Sequence, residues 1–287
     1  MSFVEKQVKL KNGEFDFSYR EYGEGDKKIL LFHGNPGSKS DFDQIAEELV
    51  KSGFCCIVPD RPGFGGNSKT PNFYNGGYIA ITLYSEFIDK ACGGKTYIGG
   101  YSIGAYYALK LAFTIPQKVL GLALITPYVF PKSYDVVSGI PKMAENKIMG
   151  KILNFILPIV GKGKLGKHFK DVFAPATVDA AKLADLVKNY GTAEMLFATM
   201  SDKNEFIQFP LESSRLKKII CPCVMIGAVK DEISKGLSHV EQLKKTIKEA
   251  IVENLENEGH AAIFTQAAKI SEIITKNIEK KVENTEG

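Results

Sequence analysis

A serine hydroxyl becomes a useful nucleophile only when a base takes its proton and a third group holds that base in one orientation. The serine in this chain with the most telling setting is Ser102, within Gly100-Tyr101-Ser102-Ile103-Gly104. That run fits G-x-S-x-G, which sets a serine at the tip of a strained turn between a strand and a helix. Strand and helix backbones approach closely there, and a β-carbon at either flanking glycine would collide. The five-residue pattern recurs by chance, so its surroundings decide. Lys95-Thr96-Tyr97-Ile98 before it suits a short buried strand, and Ala105 to Ala112 after it suits a buried helix. A helix from Ile103 to Ile115 aims its first amides at the place where an oxyanion forms, which makes the Ile103 N–H one candidate donor.

The base must be one of four histidines, His33, His168, His239 and His260. His33 belongs to a turn after a strand, His168 lies in a basic stretch, and His239 falls inside a helical pattern. His260 ends Glu256-Asn257-Glu258-Gly259-His260, a loop directly after a strand with a helix behind it, and is the best base. In the order Ser, acid, His, the orienting acid lies between the two. Asp231 sits four residues past Gly227, with Glu232 as its rival; Asp231 is preferred for the shorter reach of a group that clamps one imidazole nitrogen. Tyr101 and Asn35, on the same loops, are expected to touch substrate.

These loops need strands behind them. Residues 3 to 22 read as a hairpin of solvated edge strands, turning at Lys11-Asn12-Gly13. Buried strands follow at Lys28 to Phe32, Phe54 to Val58, Val119 to Ile125, Ile219 to Gly227 and Ala250 to Leu255. Helical repeats alternate with them, from Ser40 to a Gly53 stop, over Ile79 to Ala91, over Lys235 to Lys248 and over Ala261 to Lys280. This alternation predicts an α/β fold with a mostly parallel, doubly wound sheet whose strand C-termini build the site. Strands disappear between residues 129 and 215, where helical segments broken by Gly and Pro form an insertion after the sixth strand. The expected organisation is a core of residues 1–128 and 216–287 with a helical cap, 129–215. Residues 282 to 287 are expected to fray.

Composition excludes several classes. Thirty-seven basic against 33 acidic residues leave a net charge of +4, and no basic stripe with interleaved aromatics marks a nucleic-acid surface. The loop Asp60 to Ser68 nearly matches a phosphate cradle through Gly63 to Thr70, but Ser68 stands where glycine belongs and Pro71 follows where a helix should open. The five cysteines, Cys55, Cys56, Cys92, Cys221 and Cys223, have neither zinc spacing nor an even count and read as reduced core residues. Together with a polar start and no apolar run of about 18 residues, they point to the cytoplasm. No metal or cofactor is called for.

The motifs together resemble the α/β-hydrolases that carry a helical cap. His33-Gly34-Asn35-Pro36-Gly37 is similar to the family's oxyanion loop, Asp60 to Gly65 to its second glycine-rich loop, and the elbow, Asp231 and Gly259-His260 follow in the family's order. The resemblance implies that the Asn35 backbone N–H is a second oxyanion donor and that His33 shapes its loop without acting as base. Haloalkane dehalogenases and epoxide hydrolases share the framework but attack with aspartate; a serine would leave a dead-end ether, so Ser102 implies chemistry at an acyl carbon. The expected activity is cleavage of a small or medium hydrophobic carboxylic ester. A C–C hydrolase, lyase, acyltransferase or aminopeptidase on the same triad, or a ligand receptor that keeps it, are the alternatives. Within the cap, the apolar run Lys147 to Val160 precedes Lys162, Lys164, Lys167 and Lys170. It reads as a helix packed on the core or, more sharply, as a lid in weak contact with a membrane; Pro158 and the glycines argue against one continuous interfacial helix. The chain is expected to be a monomer or homodimer.

Overall fold

The computed structural model describes residues 3–11, 15–65, 76–130 and 147–280. The expected turn at Asn12-Gly13, the loop from Gly66 to Pro71, the first part of the insertion and the frayed tail lie outside the described residues. Eight strands form one sheet: β1 Phe3–Leu10, β2 Phe15–Tyr22, β3 Lys28–Phe32, β4 Cys55–Pro59, β5 Thr96–Tyr101, β6 Val119–Ile125, β7 Cys223–Ala228 and β8 Ile251–Leu255. Their spatial order is β1-β2-β4-β3-β5-β6-β7-β8. β1 and β2 pair antiparallel with each other and β2 antiparallel with β4, and the other neighbours are parallel.

The two strands of the first hairpin differ. β1 is an edge strand, but β2 is internal, and it buries Phe17 and Tyr19 against the core. The alternation of β2 therefore reports one buried face of an inner strand rather than a solvated edge.

Because side chains alternate across a strand, the parallel strands feed two cores. Leu30, Phe32, Ile98, Leu122 and Leu124 point to one face, where α2 Gly76–Phe87 and α3 Gly104–Thr114 cover them. Ile29, Leu31, Ile125 and Ile226 point to the other. There α1 Asp43–Lys51 brings Ile45 and Leu49 from its narrow apolar stripe, beside Ile270 and Ile274 of a C-terminal helix. With both faces covered, the strands read as unbroken apolar runs.

Between β6 and β7 the described elements are all helical: α4 Lys147–Phe173, α5 Ala180–Tyr190, α6 Ala193–Gln208 and a single turn at Ser213–Leu216. Asp179 and Thr192 cap α5 and α6 by accepting the N–H of Lys182 and Met195. α4 runs unbroken through Pro158, against the expectation of an interruption. A proline forfeits one ladder bond and clashes one turn back, a local cost that the remaining turns of a 27-residue helix span. After β7 come α7 Ser238–Thr246 and, beyond β8, α8 Ala267–Asn277. Ile219 to Pro222 precede β7 rather than joining it, and the last helix is preceded by a separate short turn at Ala262–Thr265.

Candidate active site

The elbow forms as its glycines require. β5 ends at Tyr101, and Ser102 adopts φ +54°, a left-handed conformation that non-glycine residues hold only under constraint. A Cβ on Gly100 would lie 2.4 Å from the Gly104 carbonyl, and one on Gly104 would lie 2.1 Å from the Phe32 carbonyl. These glycines let α3 start directly behind the serine. The Ser102 amide donates to Ile125 O at 3.0 Å, and its carbonyl accepts from Tyr128 N at 3.1 Å, tying the turn to the end of β6.

Ser102 Oγ stands 2.8 Å from His260 Nε2, and His260 Nδ1 stands 2.7 Å from Asp231 Oδ2. A carboxylate only accepts, so Nδ1 carries the proton toward Asp231 and Nε2 is left to accept from the serine. Asp231 is fixed in turn: Oδ1 accepts the amides of Ile233 and Ser234 at 2.8 and 2.9 Å, and Oδ2 accepts Ser234 Oγ at 2.5 Å. Burial pushes the Asp231 carboxyl up, but the His260 ring and the Ser234 donors reverse that and hold it below the usual carboxylate range. Glu232 is exposed and points to the cavity rim instead.

The loop after β3 meets this line from the side. The backbone amides of Asn35 and Ile103 make no hydrogen bond among the described residues, so two donors stand free beside the serine. His33 has both nitrogens engaged, Nε2 accepting from Arg61 N at 2.9 Å and Nδ1 facing Gly34 O at 2.9 Å. Burial, then the Arg61 charge, push its pKa well down, so the ring is neutral and has no free nitrogen to act as a base. Arg61 is fully buried; its Nε and Nη2 donate to His33 O and Gly34 O at 3.1 and 2.8 Å.

The helical insertion closes over the loop through charge. Asp202 of α6 accepts from Arg61 Nη1 at 2.7 Å, from Asn35 Nδ2 at 2.9 Å and from Tyr107 OH at 2.6 Å. Thr199 Oγ1 donates to Asn35 Oδ1 at 2.6 Å. One turn on, Glu205 Oε2 lies 3.1 Å from the same Tyr107 oxygen, whose single proton goes to Asp202, and its other oxygen lies 3.5 Å from Lys110 Nζ. Burial pushes Glu205 up to about 7 despite Lys110. The Asn35 side chain is thus committed to α6, although the residue still lines the cavity.

Above Ser102 lies a cavity of about 450 Å³. Tyr101 forms part of its wall, with its ring 5.3 Å from that of His260. α4 and α5 supply Phe169, Val172, Phe173 and Leu186, and Phe264 stacks on Phe173 at 5.8 Å. Gly259 makes this closure possible, because a Cβ there would sit 1.7 Å from the Ala174 carbonyl.

Several residues at the site carry no sequence signal. Asp202 and Glu205 are two acids on a polar helix, Tyr190 ends α5, and Asp41 reads as part of a helix start. His168, placed by sequence in a basic stretch, lines the cavity. His239 accepts the Val129 and Phe130 amides at Nδ1, at 2.9 and 3.3 Å, and stacks on Tyr128 at 5.0 Å. It anchors the chain as it leaves β6.

Residues 27–267 match the alpha/beta hydrolase fold family, and the chain belongs to it. It is 26% identical over 250 residues to Lipase 3 of Moraxella sp., covering 83% of this chain and 74% of that one. It is 28% identical over 125 residues to 2-hydroxy-6-oxononadienedioate/2-hydroxy-6-oxononatrienedioate hydrolase 1 of Pseudomonas putida, covering 42% of this chain and 44% of that one. A thermophilic esterase from Thermogutta terrifontis superposes with a TM-score of 0.73 at 21% identity, over 96% of this chain and 97% of that one.

Proposed function

We propose that the protein is a serine hydrolase that cleaves small or medium hydrophobic carboxylic esters, and that Ser102, His260 and Asp231 are its catalytic residues. The observation that carries this reading is the line of two hydrogen bonds, 2.8 and 2.7 Å, from Ser102 through His260 to Asp231. Ser102 Oγ attacks the ester carbonyl while His260 Nε2 takes its proton, and the carbonyl oxygen gathers charge between the Asn35 and Ile103 amides. His260 returns that proton to the departing alcohol as the acyl–oxygen bond breaks. Water, deprotonated by the same nitrogen, then attacks the acyl-enzyme and restores Ser102. Tyr101 and the aromatic wall hold an apolar acyl group by burying it.

The Moraxella lipase supports ester cleavage because it aligns over most of both chains. The Pseudomonas relative aligns over less than half of each, and its name gives a dioate as substrate. The longer alignment with the lipase favours the ester over that carbon–carbon cleavage. Five free cysteines support a reducing compartment, and hence the cytoplasm. In the same reading the exposed apolar half of α4 gives weak contact with a lipid surface.

Hydrolysis of 4-nitrophenyl esters of increasing acyl length tests the activity. Turnover with a length optimum is expected, and Ser102→Ala should lower kcat by several orders of magnitude, as losses of a triad member do, and abolish labelling by a fluorophosphonate. Labelling that persists in Ser102→Ala would remove the serine from its role.

A further inference from the structure

One part of the cavity wall has no use in the cleavage of a purely apolar ester. Asp41 lines the cavity and is 8% exposed. Its Oδ2 accepts the Ser38 amide at 3.2 Å and its Oδ1 accepts Tyr190 OH at 3.1 Å. No lysine, arginine or histidine lies within ion-pair distance of it among the described residues. The charges that act on it are two more carboxylates, Asp60 and Asp43, and each of those has its own cation: Asp60 pairs with Lys39 at 2.7 Å and Asp43 with Arg20 at 2.7 Å. Of these three, Asp41 has no cation among the described residues. Lys182 also lines the cavity, but it is exposed and stands 4.8 Å from the Phe173 ring.

A buried carboxylate without a counter-ion is costly, and burial accordingly pushes Asp41 up to about 7, so near neutral pH a bound cation is what would hold it ionised. The short helical turn that follows Ser38 uses Asp41 in a capping box, yet a cap needs neither burial nor a place in the wall of an active-site cavity. The rings around the carboxylate are also of one kind. Tyr190 touches it directly, the Phe169 ring lies 5.6 Å from Tyr190, and Tyr101 lies close enough to feel its charge. All three line the same cavity. A carboxylate that keeps free acceptor capacity in a cavity wall lined by aromatic rings suits an ammonium group, which needs acceptors and tolerates aromatic neighbours. Gly37 keeps the place open, since a Cβ there would sit 2.5 Å from Asp41 Oδ2.

We infer that Asp41, with Tyr190 and Tyr101, forms a subsite for a protonated amine, so that the preferred substrate is an ester carrying an alkylammonium group. This rests on the serine hydrolase reading above. The amine replaces the missing counter-ion, and the apolar wall takes the methylene chain that joins it to the ester.

The direct test is calorimetric titration of the native protein with hexylammonium chloride and, separately, with 1-hexanol, which differs only in its head group. Hexylammonium should bind about ten- to a hundredfold more tightly, the range of a hydrogen bond to a charged group. Asp41→Asn should bring the two ligands to within about twofold. In parallel, 4-nitrophenyl 6-aminohexanoate should exceed 4-nitrophenyl heptanoate in kcat/KM by a similar factor. Equal binding of amine and alcohol by the native protein overturns the inference, and this comparison needs no variant. Tighter binding of the alcohol overturns it in favour of a hydroxyl-bearing substrate, and an amine preference that survives Asp41→Asn assigns the cation elsewhere. If hexylammonium binds as expected but neither ester is cleaved, the subsite stands and the hydrolase reading falls. If both esters are cleaved alike and the amine binds no better, the reverse holds.

Discussion

The helices α6 and α4 belong to the same insertion and meet the rest of the molecule in opposite ways. α6 presses Asp202 and Glu205, both about 2% exposed, into the core against Arg61, Tyr107 and Lys110. The first half of α4 presents Ile148 and Phe155 to solvent at 74% and 75% exposure. An insertion of this kind is therefore not one lid. Its α6 side is latched by buried charge to the loop that carries the Asn35 amide, while the first half of α4 exposes Phe155, Ile159 and Val160. Substrate access through movement of α6 would separate Arg61 from Asp202 and strand a buried charge.

Breaking the latch should give the largest effect. Asp202→Ala leaves Arg61 buried without its partner, and loss of one member of a buried pair costs about 3 to 5 kcal/mol. Urea unfolding should register that loss, and the surviving folded protein should react more slowly with a fluorophosphonate because Asn35 has lost its anchor at 2.9 Å. A variant as stable and as reactive as the native protein would show that α6 is held by apolar contact and that the latch is incidental.

The start of the insertion is pinned more lightly, through His239. Burial lowers the His239 pKa from 6.5 to about 4, so between those values the unfolded chain binds a proton that the folded one refuses. Stability should therefore rise as pH goes from about 4 to 6.5 and level off above, the sign expected when the unfolded state holds more protons. His239→Phe keeps a ring over Tyr128 but removes the acceptor for the Val129 and Phe130 amides. It should cost about 1 to 3 kcal/mol at pH 7 and flatten that pH dependence. Unfolding midpoints followed across pH 4 to 8 would decide it, and an unchanged slope in His239→Phe would place the titration on another group.

The same contrast separates what the sequence reveals from what it hides. Local rules reached the elbow and its strand and helix, because Gly100 is demanded by its contact with Gly104 four residues on, while Gly104 is demanded by the neighbouring strand's Phe32 carbonyl and was legible only through the motif. They also reached Asp231 and His260, since both follow strands whose apolar runs are unambiguous. The place of β2 was misread because alternation looks the same on an edge strand and on an inner strand with one solvated side. The latch was invisible: Asp202 meets Arg61 from 141 residues away, and two acids on a polar helix look solvated until tertiary packing buries them. Pro158 misled for the converse reason, as the rule for a single residue does not register how many turns of helix lie on either side.

The exposed apolar side of α4 tests the other half of the comparison with the smallest change in stability. At about 100° per residue, Ile148, Ile152, Phe155 and Ile159 fall within about 60° of one another, while Lys151 and Lys162 flank them on one side and Lys167 on the other. An apolar stripe edged by lysines suits a helix that lies in the headgroup region of an anionic bilayer, with its lysines reaching the phosphates. The double substitution Phe155→Ser and Ile159→Ser removes side chains that are already exposed, so each should shift stability by less than about 0.5 kcal/mol. Native protein should sediment with vesicles of phosphatidylserine and phosphatidylcholine at low salt and be released as salt rises, and the double variant should stay in solution. If the native protein ignores the vesicles, α4 has no lipid partner. Equal binding by the double variant would instead trace the attraction to the lysines alone, and the apolar face would lose its part in the argument.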